Sequence, residues 1–319
     1  MINKLIRLLK IYVRKHAVLF ILIKPFSNIL RIMIDKRYFY HYSQGLVTNV
    51  KIRKKLAQVE ANFYRTHKKF SQKTQLIREN SFIENPLIIS DEKVGEIQET
   101  LQGLKCHDQS NKSIKFDLYS RPSECKLAYY DDIDLFQSQP IIEIAVNSSL
   151  IDIFNDLYGC DPIIDHITAW WTFPSDNDHD TQYWHRDIDS LNLLKFLVYL
   201  TDVEMDTGPH LLIPGSHNFQ LKTAKYKKHN DKEKAFENMI CQKGTKAFVG
   251  PAGTNFLENT FAFHKGTNPT QKPRLLLEII YSRVQTPFSN KKPFITLDDS
   301  KRSRLIKENI NLFNGKIIF

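Results

Sequence analysis

Tyr183-Trp184-His185-Arg186-Asp187 sets an imidazole and a carboxylate two residues apart. In an extended segment the side-chain period of two turns His185 and Asp187 to the same side, so one neutral nitrogen donor and one anionic oxygen donor converge. That is two thirds of the two-histidine, one-carboxylate face that holds non-haem Fe(II) and leaves open positions for oxygen and a co-substrate. His264, in Phe261-Ala262-Phe263-His264-Lys265-Gly266, is placed to supply the third ligand. Further on, Arg274 opens Arg274-Leu275-Leu276-Leu277-Glu278-Ile279-Ile280-Tyr281, an apolar run that reads as a buried strand. A cation there has little reason to exist unless it binds an anion. Glu278 is a poor partner for it, because four residues of strand separate the two by roughly 13 Å.

Other residues compete for these roles. Asp178-His179-Asp180 repeats the pattern, but it sits among polar turn formers where a solvated loop is expected. His210 follows Pro209 at a strand start and could line the site, whereas His217 closes the turn Pro214-Gly215-Ser216-His217. Trp170, Trp171, Tyr183 and Trp184 cluster around the first motif, and at least half of them are expected to be core.

The order His-x-Asp, distant His, then Arg resembles the Fe(II)- and 2-oxoglutarate-dependent dioxygenases, and specifically the phytanoyl-CoA dioxygenase family. Gln182-Tyr183-Trp184-His185-Arg186-Asp187 is similar to that family's Gln-x-Trp-His-x-Asp motif. Leu200-Thr201-Asp202-Val203, followed by Thr207-Gly208-Pro209-His210-Leu211-Leu212-Ile213-Pro214-Gly215-Ser216-His217, is similar to its middle signature. The resemblance covers residues 120 to 285. It implies iron ligation by His185, Asp187 and His264, with His217 not a ligand, and O2 and 2-oxoglutarate as co-substrates. Arg274 would hold the distal carboxylate of 2-oxoglutarate, its planar donor fork matching a carboxylate in a pocket walled by leucines. Gln182 and Thr172 would add hydrogen bonds to the co-substrate or the substrate. The family often carries a small polar residue two positions past the distal histidine; Gly266 stands there, and Thr267 would substitute. Related halogenases replace the carboxylate ligand by Gly or Ala, so Asp187 favours hydroxylation. The substrate is a small molecule, of lipid or sugar type, that the sequence does not identify. No CoA-binding signature is present, so the family name is not a substrate assignment. The rival readings are a catalytically inert jelly-roll protein held at a membrane and a metal-dependent cupin enzyme that does not use 2-oxoglutarate.

The elements needed to position these residues are legible. From Ile163 to Tyr281 short β-rich runs alternate with Pro, Gly, Asn and Asp. The runs include Ile167–Phe173, Leu194–Leu200, Lys246–Val249, Gly253–Leu257 and Arg274–Tyr281. That texture predicts a mainly β fold with flanking helices, a double-stranded β-helix (a cupin-like jelly roll). Residues 91–104 and 147–158 read as amphipathic helices, the second capped at Asn147 and ended near Gly159. Residues 220–240, with six lysines, form a polar insertion.

Charge divides the chain. Residues 1–80 carry 18 Lys+Arg against 3 Asp+Glu, while the rest carries 27 against 32, so the net +10 belongs to the N-terminus. We read residues 1–45 as a basic amphipathic segment and 46–319 as the dioxygenase domain, with a basic, helical stretch at 46–80 whose charged face is solvated. Within 2–14, Lys4, Arg7, Lys10 and Arg14 share one helical face and Ile2, Leu5, Leu9, Tyr12 and Val13 the other. Two placements stay open for residues 1–40: an anionic membrane surface, or packing on the protein's own body. No helix-turn-helix, zinc or RNP-like pattern accompanies the charge, which excludes nucleic acid. Ala17–Ile23 is apolar but far short of the ~20 residues that span a bilayer, and no Ala-x-Ala-like site follows it. Cys106, Cys125, Cys160 and Cys241 form no Cys-x-x-Cys pair. The expectation is reduced thiols in a cytoplasmic protein, peripheral on the inner face of a membrane if the N-terminal segment binds lipid.

Overall fold

The structure, a computed structural model, describes residues 70–175, 182–187, 190, 193–219, 234–283, 285–286 and 292–318. The N-terminal amphipathic segment, Asp178-His179-Asp180 and residues 220–233 of the lysine-rich insertion lie outside the described residues. The chain divides near residue 47, and the elements below belong to the second unit, 48–319.

Its elements run in the order α1 (Gln72–Asn80), β1 (Phe82–Glu84), α2 (Asp91–Gln102), β2 (Cys106–Asp108), β3 (Asn111–Phe116) and β4 (Leu127–Tyr130). Three helices follow, α3 (Asp132–Leu135), α4 (Gln139–Ala145) and α5 (Ser148–Tyr158), then β5 (Ile163–Thr172), β6 (Leu193–Tyr199) and β7 (His210–Leu212). Last come α6 (Lys234–Lys243), β8 (Lys246–Phe248), β9 (Asn255–Glu258), β10 (His264–Gly266), β11 (Arg274–Ser282) and α7 (Lys301–Glu308). Eight strands make an antiparallel sheet in the order β1-β9-β6-β11-β5-β4-β2-β3, and β10-β7-β8 make a second sheet of three. The two sheets form an open jelly roll without a closed barrel. The large sheet takes in β1, β2 and β3, all of which precede residue 120.

The period of two explains the apolar runs. On β11, Leu275, Leu277 and Ile279 face a core shared with Ile97 of α2, Ile142 of α4 and Phe154 of α5. Leu276 faces the other way, into a cluster with Leu197, Tyr199 and Phe256 of the same sheet and Leu212 and Phe248 of the small one. Both faces of the central strands are therefore covered, and alternation between apolar and polar residues disappears from their sequence. The same parity turns Arg274 and Glu278, with Leu276 between them, toward the small sheet.

Helix ends follow local chemistry. Asn147 accepts a hydrogen bond from Ser149 N to start α5, Leu150, Ile153, Phe154 and Tyr158 bury its inner face, and Gly159 at φ 78° ends it. Ser81, at φ 79° without being glycine, ends α1. It is held there by His217, whose Nδ1 takes the Ser81 hydroxyl at 2.5 Å while Nε2 bonds the Arg78 carbonyl at 3.0 Å. The Pro-Gly-Ser-His turn thus locks α1 to the sheet, and its histidine is committed to that task.

Glu143 of α4 ties α2 to α7, receiving Lys93 Nζ on Oε2 and Lys301 Nζ on Oε1, both at 2.6 Å. Burial alone would raise its pKa, but the hydrogen bonds from Lys301 and Lys93 prevail and bring it down to about 2. A depressed carboxylate contributes stability above its usual titration range and loses it as pH falls through the folded value. Glu143→Gln should therefore cost about 1 kcal/mol near neutrality, because the pairs are partly exposed. Urea unfolding should show the gap to wild type narrowing as pH drops from 4.5 toward 2; a gap independent of pH refutes the assignment.

Candidate metal centre

Three of the sequence-selected residues meet. The ligand atoms of His185, Asp187 and His264 all lie within 4.8 Å of one another. His185 Nε2 stands 3.8 Å from Asp187 Oδ1, and His264 Nε2 stands 3.6 Å from Asp187 Oδ2. A two-bond antiparallel bridge sets the two histidines opposite each other: His185 N donates to His264 O at 3.1 Å, and His264 N to His185 O at 3.0 Å. Asp187 N donates to Thr260 O at 2.9 Å, which fixes the next turn of the same segment.

The tautomers follow from hydrogen bonding. His185 Nδ1 lies 2.8 Å from the Tyr183 carbonyl, and His264 Nδ1 lies 3.0 Å from that of Ala262. A carbonyl only accepts, so each Nδ1 carries the proton and each Nε2 keeps its lone pair for a metal. Burial, and His185 beside it, push the His264 pKa down to about 4, which keeps the ring neutral as ligation requires. Burial would raise Asp187, but Lys195, His264 and His185 hold it below the usual carboxylate range. A half-buried carboxylate flanked by two Nε2 atoms whose Nδ1 partners donate to carbonyls is a donor set that fits a divalent cation.

Lys195 of β6 was not singled out by sequence reasoning. Its Nζ lies 3.0 Å from Asp187 Oδ2 and 3.3 Å from Glu278 Oε2. Glu278 thus pairs with lysine across the sheet, and its separation from Arg274 along the strand is as expected. Glu258 of β9, the cross-strand partner of Lys195, is also new; its Oε2 is 3.1 Å from His210 Nε2. Burial pushes Glu258 up to about 7, and burial together with Arg274 pushes His210 down to about 3, so neighbouring groups are driven toward neutrality. A charged residue inside an apolar strand, the signal that singled out Arg274, also marks Lys195 in Leu194-Lys195-Phe196 and Glu258 after Phe256-Leu257.

Arg274 is buried on the same sheet face. Its Nη1 donates to the Gly208 carbonyl, its Nη2 stands 3.3 Å from Thr172 Oγ1, and Nε has no partner among the described residues. Thr172 is its cross-strand neighbour, as the pairing of β11 with β5 dictates. Gly208 has to be glycine: at φ 78° an added Cβ would sit 2.5 Å from Thr267 O and 2.7 Å from Pro269 N. Gly266 lies beside the guanidinium, where an added Cβ would make an ordinary van der Waals contact with Nη2 at 3.7 Å. With five N–H donors and so few acceptors, Arg274 retains capacity for a carboxylate. Thr267 donates its hydroxyl to Pro209 O at 2.7 Å, and Gln182 bonds Asn268. Both side chains are thereby anchored to neighbouring loops.

His185 and His264 open onto a cavity of about 430 Å³. One wall is a cross-strand ladder of rings, His107, Tyr129 and Trp170, with centroids 6.2 and 5.6 Å apart and planes within 17°. Trp184 instead packs in a separate core cluster with Phe236 and Phe263, and Trp171 packs against the helical side.

Both the sequence and the fold have counterparts among known proteins. The profile of the phytanoyl-CoA dioxygenase (PhyH) family matches residues 88–275. Among solved structures, EctD from S. alaskensis with 2-oxoglutarate and 5-hydroxyectoine is 20% identical. The likeness covers 72% of this chain and 86% of that one, with a TM-score of 0.53. The same protein with bound Fe is 19% identical over 72% and 85% of the two chains, with a TM-score of 0.52. At such identity the likeness concerns the fold. No curated protein matches the sequence. The family profile spans more than half of the chain and includes both histidines and the carboxylate. The chain belongs to the phytanoyl-CoA dioxygenase family, and it is a non-haem iron dioxygenase dependent on 2-oxoglutarate.

Proposed function

We propose that the chain hydroxylates a small molecule, with His185, Asp187 and His264 holding Fe(II) and Arg274 binding the distal carboxylate of 2-oxoglutarate. The observation that carries this reading is the convergence of two Nε2 atoms, each fixed by an Nδ1–H bond to a carbonyl, on one half-buried carboxylate. Bound iron, with 2-oxoglutarate and O2, supplies the oxidation, converting the keto acid to succinate and CO2. The protein's own part is placement. Three ligands from one side leave the opposite side of the ion for the co-substrates. Lys195 holds the Asp187 carboxylate in one orientation, and Glu278 in turn holds Lys195. Thr172 and Gly208 hold Arg274 so that its remaining donors meet an anion in a site closed to water. Substrate-stimulated succinate release separates this reading from an inert jelly-roll protein and from a cupin enzyme that does not use 2-oxoglutarate.

Asp187→Ala should reduce succinate release by more than about 100-fold and weaken Co(II) binding, read by its d–d absorption, with far-UV circular dichroism unchanged. Full activity in this variant would remove Asp187 from the ligand set. Arg274→Ala should raise the 2-oxoglutarate KM far more than it weakens metal binding. Loss of one partner of a buried, hydrogen-bonded charge pair costs about 2–5 kcal/mol. Equal 2-oxoglutarate affinity in variant and wild type would make the arginine structural.

We further propose that residues 1–40 attach the enzyme reversibly to anionic membrane surfaces. The support is sequence: 18 of the chain's basic residues fall within residues 1–80, and 2–14 divides into basic and apolar faces. Among the described residues no helix is long and apolar enough to cross a membrane. Each Lys or Arg near an anionic surface contributes about 1 kcal/mol and is screened by salt. Full-length protein should float with phosphatidylserine vesicles at low salt and be released at high salt. Equal flotation of a chain starting at Val47 would show that the segment does no such work.

A further inference from the structure

A third histidine stands at the centre without a part in holding the metal. His210 of β7 is 8% exposed and stacks on His264, with ring centroids 5.5 Å apart and planes 23° from parallel. Strand pairing puts it there. Leu212 lies opposite His264 and His210 opposite Gly266, so His264, Gly266 and His210 share one face of the small sheet. The ring is held firmly: Phe248 and Phe256 flank it at 5.8 and 5.3 Å, its backbone N–H donates to Tyr199 Oη at 2.9 Å, and Nε2 lies 3.1 Å from Glu258 Oε2.

The other ring nitrogen is different. Nδ1 makes no hydrogen bond among the described residues, yet it is not among the partnerless polar atoms sealed from solvent, and His210 lines the cavity beside the metal centre. A buried polar group left unmade is costly, so a fixed ring that keeps one nitrogen open has a use for it.

Gly266 shows what would pass that nitrogen. A Cβ on Gly266 would come within 4 Å of Arg274 Nη2 alone, its chain neighbours aside. The space bordered by His264, His210 and Arg274 is thus left without a side chain. Under the oxygenase reading of this centre, on which the inference rests, 2-oxoglutarate has to cross that space from the metal to the Arg274 guanidinium. Glu258 decides what Nδ1 offers. Its Oε1 has no partner and burial favours the protonated acid, so its proton bonds Nε2 through Oε2. The imidazole proton is then on Nδ1, a donor facing the path of a dicarboxylate.

We infer that His210 Nδ1 donates a hydrogen bond to bound 2-oxoglutarate, which makes His210 a co-substrate-binding residue alongside Arg274.

Anaerobic titration of the Fe(II)-loaded full chain with 2-oxoglutarate, followed by the charge-transfer absorption of the chelate, tests this without any primary substrate. His210→Phe keeps a stacked ring and should raise the 2-oxoglutarate Kd by about tenfold, the loss of one hydrogen bond to a charged group. His210→Asn puts an amide where Nδ1 stood and should stay within about threefold of wild type. His210→Gln reaches instead to the Nε2 position, keeps the Glu258 contact, and should be as weak as the Phe variant. Co(II) affinity should be the same in all of them. An unchanged Kd in the Phe variant overturns the inference, as does rescue by Gln but not Asn, which would make the Glu258 contact the whole role of the residue. Should the Phe variant fail to fold, the Asn and Gln pair decides alone. Absence of the absorption band in wild type would instead overturn the oxygenase reading itself, and the inference with it.

Discussion

Two backbone hydrogen bonds between His185 and His264, at 3.1 and 3.0 Å, hold together segments far apart in the sequence. Everything at the centre depends on that bridge. It sets the imidazoles 4.3 Å apart between centroids, and it carries Asp187 along, because a carboxylate two residues past His185 in extended backbone must share its side. A slip of one residue in this pairing would turn both side chains away together. The site's geometry is thus a property of strand register, and the side chains need only be of the right type.

Register also explains the second half of the site. β11 pairs with β5 and β6, so Arg274 lies opposite Thr172 and Glu278 opposite Leu197. Lys195 sits opposite Glu258 on β9. One sheet face thereby collects an arginine, a lysine and two carboxylic acids beside the cluster of His185, Asp187 and His264. Its other face carries an apolar core packed on α2, α4 and α5. The rigidity that keeps charged groups from relaxing to water comes from that apolar side.

Much of this was legible in the sequence because it rests on local rules. His-x-Asp needed only strand parity, α5 only a cap at Asn147 and a stop at Gly159, and Arg274 only the oddity of a cation in a leucine run. Lys195 and Glu258 break the same rule and carry the same signal. What they do is set by cross-strand partners distant in sequence, and no local pattern encodes which strand lies next to which. The small contributions of β2 and β3 escaped for a related reason: three exposed positions in Lys112-Ser113-Ile114 carry no alternation. His217 is the converse case. Its motif resemblance excluded it as a ligand, and only the structure gives its task, bonding both Ser81 and the Arg78 carbonyl at the end of α1.

Concentrating acid and base this way is costly for folding. Asp187, Glu258, His264 and Arg274 are all buried or nearly so, and burial is the largest influence on each. Pairs such as Lys195–Asp187 offset part of that cost, but a buried ion pair seldom recovers the whole of its desolvation. The protein concentrates that cost at one end of a single cavity and keeps the rest of the sheet conventional. Under the proposed reading such a site would gain stability when a cation and an anion enter it together, the cation meeting the Asp187 carboxylate and the anion meeting Arg274. Binding and folding would then be coupled through the same few atoms.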